Sequence, residues 1–211
     1  MGSTGRLATA VALLAVFCQP AVAGPETVQS LLAKAATDPA TRATLIREGD
    51  AAAFFCKNCH GDKGIARFPD VPHLAGQNPA YLVSQIEAFL TGKRRNEFMQ
   101  GLMKVLGDRE KAAIALFYAN APTPAAATPG PLAAKGGEHY GRLCMACHQA
   151  EARGNENFAR LAGQQVDYLR VSLKRYLNKT GERTHAEMSI AVAQLGDANI
   201  DAVAQYLASL K

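Results

Sequence analysis

A duplicated pattern constrains this chain more than any other feature. Cys56, Cys59 and His60 recur 88 residues later as Cys144, Cys147 and His148, and LAGQ at 74–77 recurs at 161–164. Tyr81-Leu82 returns as Tyr168-Leu169 and Leu106-Gly107-Asp108 as Leu195-Gly196-Asp197, in the same order, with the offset drifting only between 87 and 89. Self-similarity over this length marks a structural unit used twice. One insertion is expected around KTGERTH at 179–185. Between the copies lies APTPAAATPGPLAAK (121–135), whose four prolines each fix a backbone dihedral and remove a donor, giving an extended, semi-rigid linker. The expected organisation is therefore a first domain at 47–120, a linker at 121–135 and a second domain at 136–211. An extra N-terminal helical segment is expected at 24–46, whose earlier part has no equivalent in the second copy. Domains this small have marginal polypeptide cores, so a large apolar cofactor would help each to fold.

Both copies read as helical, and strand-like alternation is nearly absent. In the first, Asn78-Pro79 forms a cap and first-turn pair ahead of Leu82, Ile86, Phe89 and Leu90 on one face. Asp108 is expected to cap a helix that turns Ile114, Phe117 and Tyr118 inward, and Asp197 one carrying Ile200, Val203, Ala204 and Leu207. Over residues 26–55 one or two helices are expected, with Asp38-Pro39 as a stop and restart. The fold class is all-α.

Residues 1–23 call for separate treatment. Arg6 precedes the short apolar run LATAVALLAVF, and Ala21-Val22-Ala23 closes it as a small-x-small cleavage signal. That is the form of a secretory signal peptide; the stretch is short for a membrane span and contains Pro20. Cleavage after Ala23 would remove Cys18, leaving every remaining cysteine inside the two motifs. Loss of Arg6 would lower the formal charge from +5 to +4, mildly basic and not a nucleic-acid signature. Lys93-Arg94-Arg95 is the one basic cluster, open to reading as a solvated helix end or as a partner or propionate contact. The expected location is the periplasm.

On a helical turn, residues three apart share a face and the next lies beside them. Cys56 and Cys59 can thus bond two sites of one flat ligand while His60 projects toward its centre, and Cys144, Cys147 and His148 repeat the arrangement. This is the spacing of covalent c-type haem attachment, so two covalently bound haems are expected. A thioredoxin-like redox pair would want a βαβ context. Zinc would need four ligands per site. Structural disulfides would leave the paired histidines unexplained.

The residue opposite each histidine decides the chemistry. Met99 and Met188 each stand seven residues before the L-G-D element, at matched places in the repeat, which favours ligation over packing. Met103 has no counterpart and Met145 lies inside a haem motif. His185, three residues from Met188, is the rival in the second copy; His73 and His139 read as surface or supporting residues.

The order C-x-x-C-H, P-x-LAGQ with YL, a methionine, L-G-D and a final amphipathic helix, all twice, resembles the dihaem class I cytochromes c of the cytochrome c4 family, over roughly residues 47–211. The resemblance implies two tandem class I cytochrome c domains, each a small helical bundle around one haem, with His60/Met99 and His148/Met188 as ligand pairs. Pro72 fits the family proline near the proximal histidine. Ala159 stands at the matching position of the second copy, which puts the carbonyl support of His148 in doubt. The implied function is a periplasmic carrier of single electrons between respiratory redox partners, delivering to a terminal oxidase, and not an enzyme. The alternative is a haem-bearing subunit of a sulfide- or thiosulfate-oxidising dehydrogenase, or a dihaem enzyme with one open haem, for which KTGERTHAEM is the expected place. The segment 24–46 is a candidate for docking onto a partner.

Overall fold

The computed structural model describes Met1, residues 26–180 and residues 185–211, so the expected signal peptide and the tip of the expected insertion lie outside the described residues. Among the described residues the structure is helical with no strands. Eleven α-helices follow one another: α1 (Val28–Thr37), α2 (Pro39–Ala52), α3 (Lys57–His60), α4 (Pro79–Leu90), α5 (Glu97–Lys104), α6 (Asp108–Ala119), α7 (Ala133–Leu143), α8 (Met145–His148), α9 (Val166–Asn178), α10 (Ala186–Leu195) and α11 (Ile200–Ala208). A 3-10 turn at Asp197–Asn199 leads into α11.

Matching the repeats pairs α2 with α7, α3 with α8, α4 with α9, α5 with α10 and α6 with α11. In each half the first and last helices of the set cross, α2 on α6 and α7 on α11. Both crossings are made possible by a glycine. A Cβ on Gly49 would stand 2.1 Å from the Ala113 carbonyl oxygen, and one on Gly136 would stand 1.9 Å from that of Ala202. Only a residue without a side chain permits this approach.

Among the described helices only α1 lacks a counterpart. Thr27 and Ser30 form its capping box. Asp38 then ends α1 and caps α2 in one residue, accepting from the amides of Ala40 and Thr41, with Pro39 in the first turn where its missing donor is harmless. Val28, Leu31 and Ala35 are buried with Leu45, Ala112, Ala113 and Leu116, so α1 lies over the α2/α6 crossing. Its apolar face is used within the first domain. Arg109 on α6 joins this layer from outside, pairing with Glu26 at 2.9 Å and Glu48 at 2.8 Å.

The caps differ from expectation at two places. Gly107, not Asp108, caps α6; its amide is taken by Glu110, and Asp108 sits in the first turn. Asp197 likewise opens the 3-10 turn, and α11 begins only at Ile200. In both cases the glycine of L-G-D supplies the non-helical cap position and the aspartate moves one residue inward, where its charge still favours the helix N-terminus. Asn78 caps α4 as read, accepting from Ala80 and Tyr81.

The second core gathers Tyr140, Ala152, Ala162, Leu169, Val192, Leu195, Ile200, Val203, Ala204 and Leu207. Burying each large aliphatic side chain contributes about 1.5–3 kcal/mol. The linker runs back along the second domain: the Ala127 amide donates to the Ala208 carbonyl at 2.9 Å, and Leu132 donates to Gln205 Oε1 at 3.0 Å.

Candidate functional site

Each cysteine motif closes one short helical turn. The amides of Cys59 and His60 donate to the Cys56 carbonyl at 3.2 and 2.9 Å, and those of Cys147 and His148 to the Cys144 carbonyl at 3.2 and 3.0 Å. The turn is then broken sharply, by Gly61 at φ 77°, ψ 162° and by Gln149 at φ 68°, ψ 163°. Glycine reaches this conformation freely and glutamine does not. The break turns the chain so that 64–77 and 152–164 fold back over the motif: Leu74 and Ala75 donate to the Gly64 carbonyl, and Leu161 and Ala162 to that of Ala152.

This return places a carbonyl behind each histidine. His60 Nδ1 donates to the Pro72 carbonyl at 2.9 Å, and His148 Nδ1 to the Ala159 carbonyl at 2.9 Å. A carbonyl cannot donate, so each ring carries its proton on Nδ1 and turns a bare Nε2 lone pair the other way. Replacement of proline by alanine at 159 therefore leaves the carbonyl support of His148 intact. The bond uses a backbone oxygen, which either residue supplies.

Both histidines are buried, at 7% and 6% exposure, and burial lowers their pKa values, keeping them neutral. His148 Nε2 is buried with no hydrogen-bond partner. An unpaired buried lone pair is costly unless something ligates it. The thiols beside it complete the test of fit. The four motif cysteines are free, Cys56, Cys59 and Cys144 half-buried and Cys147 exposed. Burial pushes the Cys56 thiol up, and burial with Cys147 nearby pushes that of Cys144 up to about 11. These are not the activated thiolates of a redox pair. No group of three His, Cys, Asp or Glu side chains that could hold an ion occurs among the described residues. The motif side chains therefore do not converge on one point, as a zinc site requires. The residues fit haem.

The remaining predicted residues fall as follows. Met99 and Met188 occupy matched positions near the starts of α5 and α10, both half-buried, and Met188 packs against the second core. Met103 is buried, and the matched position of the second copy holds no methionine but the core residue Val192, so Met103 is packing. Met145 is exposed. His185 is exposed and faces Glu187 at 3.0 Å, and His139 is half-buried beside Arg142. His73 Nδ1 accepts from the Ala66 amide at 2.9 Å.

Two features escaped the sequence reading. Arg94 is not a solvated helix end: it lies 4.5 Å over the Phe89 ring and donates to Gln85 and, across to the second domain, to the Tyr168 hydroxyl at 3.2 Å. The glutamines of both LAGQ elements also reach across. Gln77 accepts from the Arg160 amide at 2.8 Å and donates to its carbonyl at 3.0 Å, and Gln164 does the same with the amide and carbonyl of His73 at 2.8 and 3.0 Å. The signal was visible as a polar residue repeated in an otherwise apolar element, but not its destination.

Comparison with known proteins agrees with this geometry. The family model Cytochrome c matches residues 133–211. Cytochrome c4 of Thiocapsa roseopersicina is 35% identical over 168 residues, 74% of this chain and 86% of the relative. The thiosulfate dehydrogenase electron acceptor of Thiomonas intermedia (strain K12) is 34% identical over 170 residues, 73% of this chain and 77% of the relative. The crystal structure of reduced recombinant cytochrome c4 from Pseudomonas stutzeri superposes with a TM-score of 0.70 at 26% identity, covering 77% of this chain and 97% of that one. Two tandem class I cytochrome c domains, two covalently bound c-type haems and similarity over most of its length place the chain in the cytochrome c4 family.

Proposed function

We propose that this protein is an exported carrier of single electrons, with Cys56 and Cys59, and Cys144 and Cys147, as the thioether anchors and with His60/Met99 and His148/Met188 as the two axial pairs. Bound in this way, each haem supplies a saturated one-electron couple with no open position for an external ligand. The observation that carries the reading is the carbonyl-backed, neutral, buried histidine, present twice, with the Nε2 of His148 left without a partner. The chain's own contribution is to fix ring orientation and tautomer. The Pro72 and Ala159 carbonyls raise the basicity of the histidines, and the helices exclude water around them. Met99 and Met188 lie at matched positions near the starts of α5 and α10, from which each would supply the second, thioether ligand.

No helix among the described residues is long and apolar enough to cross a membrane. The leader pattern at 1–23 supports action in the periplasm; the proposed partners are a donor and an acceptor that are themselves redox proteins, the acceptor being a terminal oxidase. The relative from Thiomonas intermedia, named an electron acceptor of thiosulfate dehydrogenase, favours a second assignment on the donor side, with a sulfur-oxidising dehydrogenase supplying the electrons.

An absorption spectrum of the oxidised holoprotein into the near infrared, with carbon monoxide added after reduction, tests the ligation. Two low-spin haems with methionine-to-iron charge-transfer bands and no carbon monoxide binding are expected. One carbon monoxide-reactive haem would overturn the saturated-carrier reading in favour of an open, catalytic site. Reduction by a thiosulfate dehydrogenase and oxidation by a terminal oxidase, each assayed with purified components, decide the partners.

A further inference from the structure

The two glutamines do more than join the domains, because each grips a peptide unit that already has a task. The carbonyl of Pro72 and the amide of His73 belong to one planar peptide group. Its oxygen accepts from His60 Nδ1 at 2.9 Å, and its N–H donates to Gln164 Oε1 at 2.8 Å. In the second domain, the Ala159–Arg160 peptide accepts from His148 Nδ1 at 2.9 Å and donates to Gln77 Oε1 at 2.8 Å. We propose that Gln77 and Gln164 are crossed positioning residues, each setting the hydrogen bond that supports the iron-ligating histidine of the opposite domain.

Three observations make the grip specific. Both glutamines are buried, at 7% exposure. Each Oε1 accepts a second amide, Asn78 at 3.1 Å for Gln77 and Gln165 at 3.0 Å for Gln164, while Nε2 donates to a carbonyl. A flipped carboxamide would set its NH2 group against two N–H donors, so the orientation is fixed. Hydrogen bonds in series polarise one another: pulling on the peptide N–H makes its carbonyl a better acceptor. That carbonyl then draws the Nδ1 proton more strongly and makes the imidazole a stronger donor to the metal, which favours the oxidised iron. Loss of a glutamine therefore raises the reduction potential in the domain it does not belong to.

The inference rests on His60 and His148 being the proximal ligands. The test uses the full-length holoprotein, nitrogen-15 labelled and oxidised, with the hyperfine-shifted Nδ1–H resonances of the two histidines assigned. If no such resonances exist in the unsubstituted protein, the ligand assignment itself fails. In Gln77→Ala the His148 resonance should move, the Arg160 amide should exchange about tenfold faster or more, and the potential of the second haem should rise, with His60 unmoved. Gln164→Ala should give the mirror result at His60, His73 and the first haem. Gln77→Met, which keeps length and packing while removing all three carboxamide hydrogen bonds, should reproduce Gln77→Ala and so separates the hydrogen bonds from a loosened interface. Changes confined to the substituted domain, equal changes in both, or an opposite histidine that does not move would overturn the proposal.

Discussion

Two glycines on one helix should respond to the same substitution with opposite signs. Gly136 and Gly141 both lie in α7, but a Cβ on Gly136 would stand 1.9 Å from the Ala202 carbonyl oxygen, 2.5 Å from its carbon and 2.8 Å from Tyr206 Cβ, whereas one on Gly141 meets nothing within 4 Å. Real Cβ contacts essentially never fall below 3.0 Å, so Gly136→Ala must open the α7/α11 crossing by about 1.1 Å. The obstacle is backbone and cannot rotate away. Overpacking of this kind costs about 1–3 kcal/mol, and the absence of a yielding side chain puts it at the upper end. Alanine returns about 0.5–1 kcal/mol of helix propensity at both positions. Gly136→Ala should therefore destabilise by about 2 kcal/mol, and Gly141→Ala should stabilise by about 0.5 kcal/mol, less than the full propensity because it lies near the helix end. Guanidinium unfolding of the holoprotein followed by far-ultraviolet circular dichroism gives both midpoints. Midpoints that move in the same direction would refute the claim that the crossing depends on this close approach.

Three further outcomes follow from the site. Met99→Ala and Met188→Ala should each make one reduced haem bind carbon monoxide and remove one near-infrared charge-transfer band; an unchanged spectrum in either variant removes that methionine from the ligand set. Gln149→Gly should stabilise the second domain by about 1 kcal/mol, because relief of a glycine-only conformation outweighs the added freedom of the unfolded chain. An unshifted unfolding midpoint would show that Gln149 carries no such strain. His73 is held below its ordinary value of 6.5 by burial, and its Nδ1 is occupied as an acceptor. Its folded pKa being the lower one, it contributes stability above pH 6.5 that is lost as pH falls through the folded value. His73→Asn, which keeps an acceptor that does not titrate there, should flatten the decline in stability between about pH 7 and pH 5, and an identical decline would reject this.

The repeat, the helical class and the motif chemistry were legible because each depends on local spacing. C-x-x-C-H defines one helical turn, and the Asp38 and Asn78 side chains cap helices by accepting from backbone amides two and three residues on. Local reading failed where two choices were close together, as at L-G-D, where glycine and aspartate both suit a cap and the chain used the glycine. It also failed where the partner was distant. Nothing within ten residues of Gly49 or Gly136 announces a helix pressed against it, and nothing near Gln77 names Arg160. Ala159 shows a different limit: the alanine raised a doubt about a support that the side chain does not provide.

The crossed glutamines relate the halves as two copies are related in a symmetric dimer, where one surface patch meets itself and every contact occurs twice. In a true dimer one gene writes both sides, so no residue can be adjusted on one side alone. Here the linker has made the two sides separate stretches of one chain. The same place in the interface holds an imidazole at His73 and a half-buried guanidinium at Arg160, with a buried, unpartnered Nε. Fusion has thus kept the contact geometry of a symmetric pair while freeing its chemistry to differ, so the two metal sites can diverge without losing the interface that holds them together.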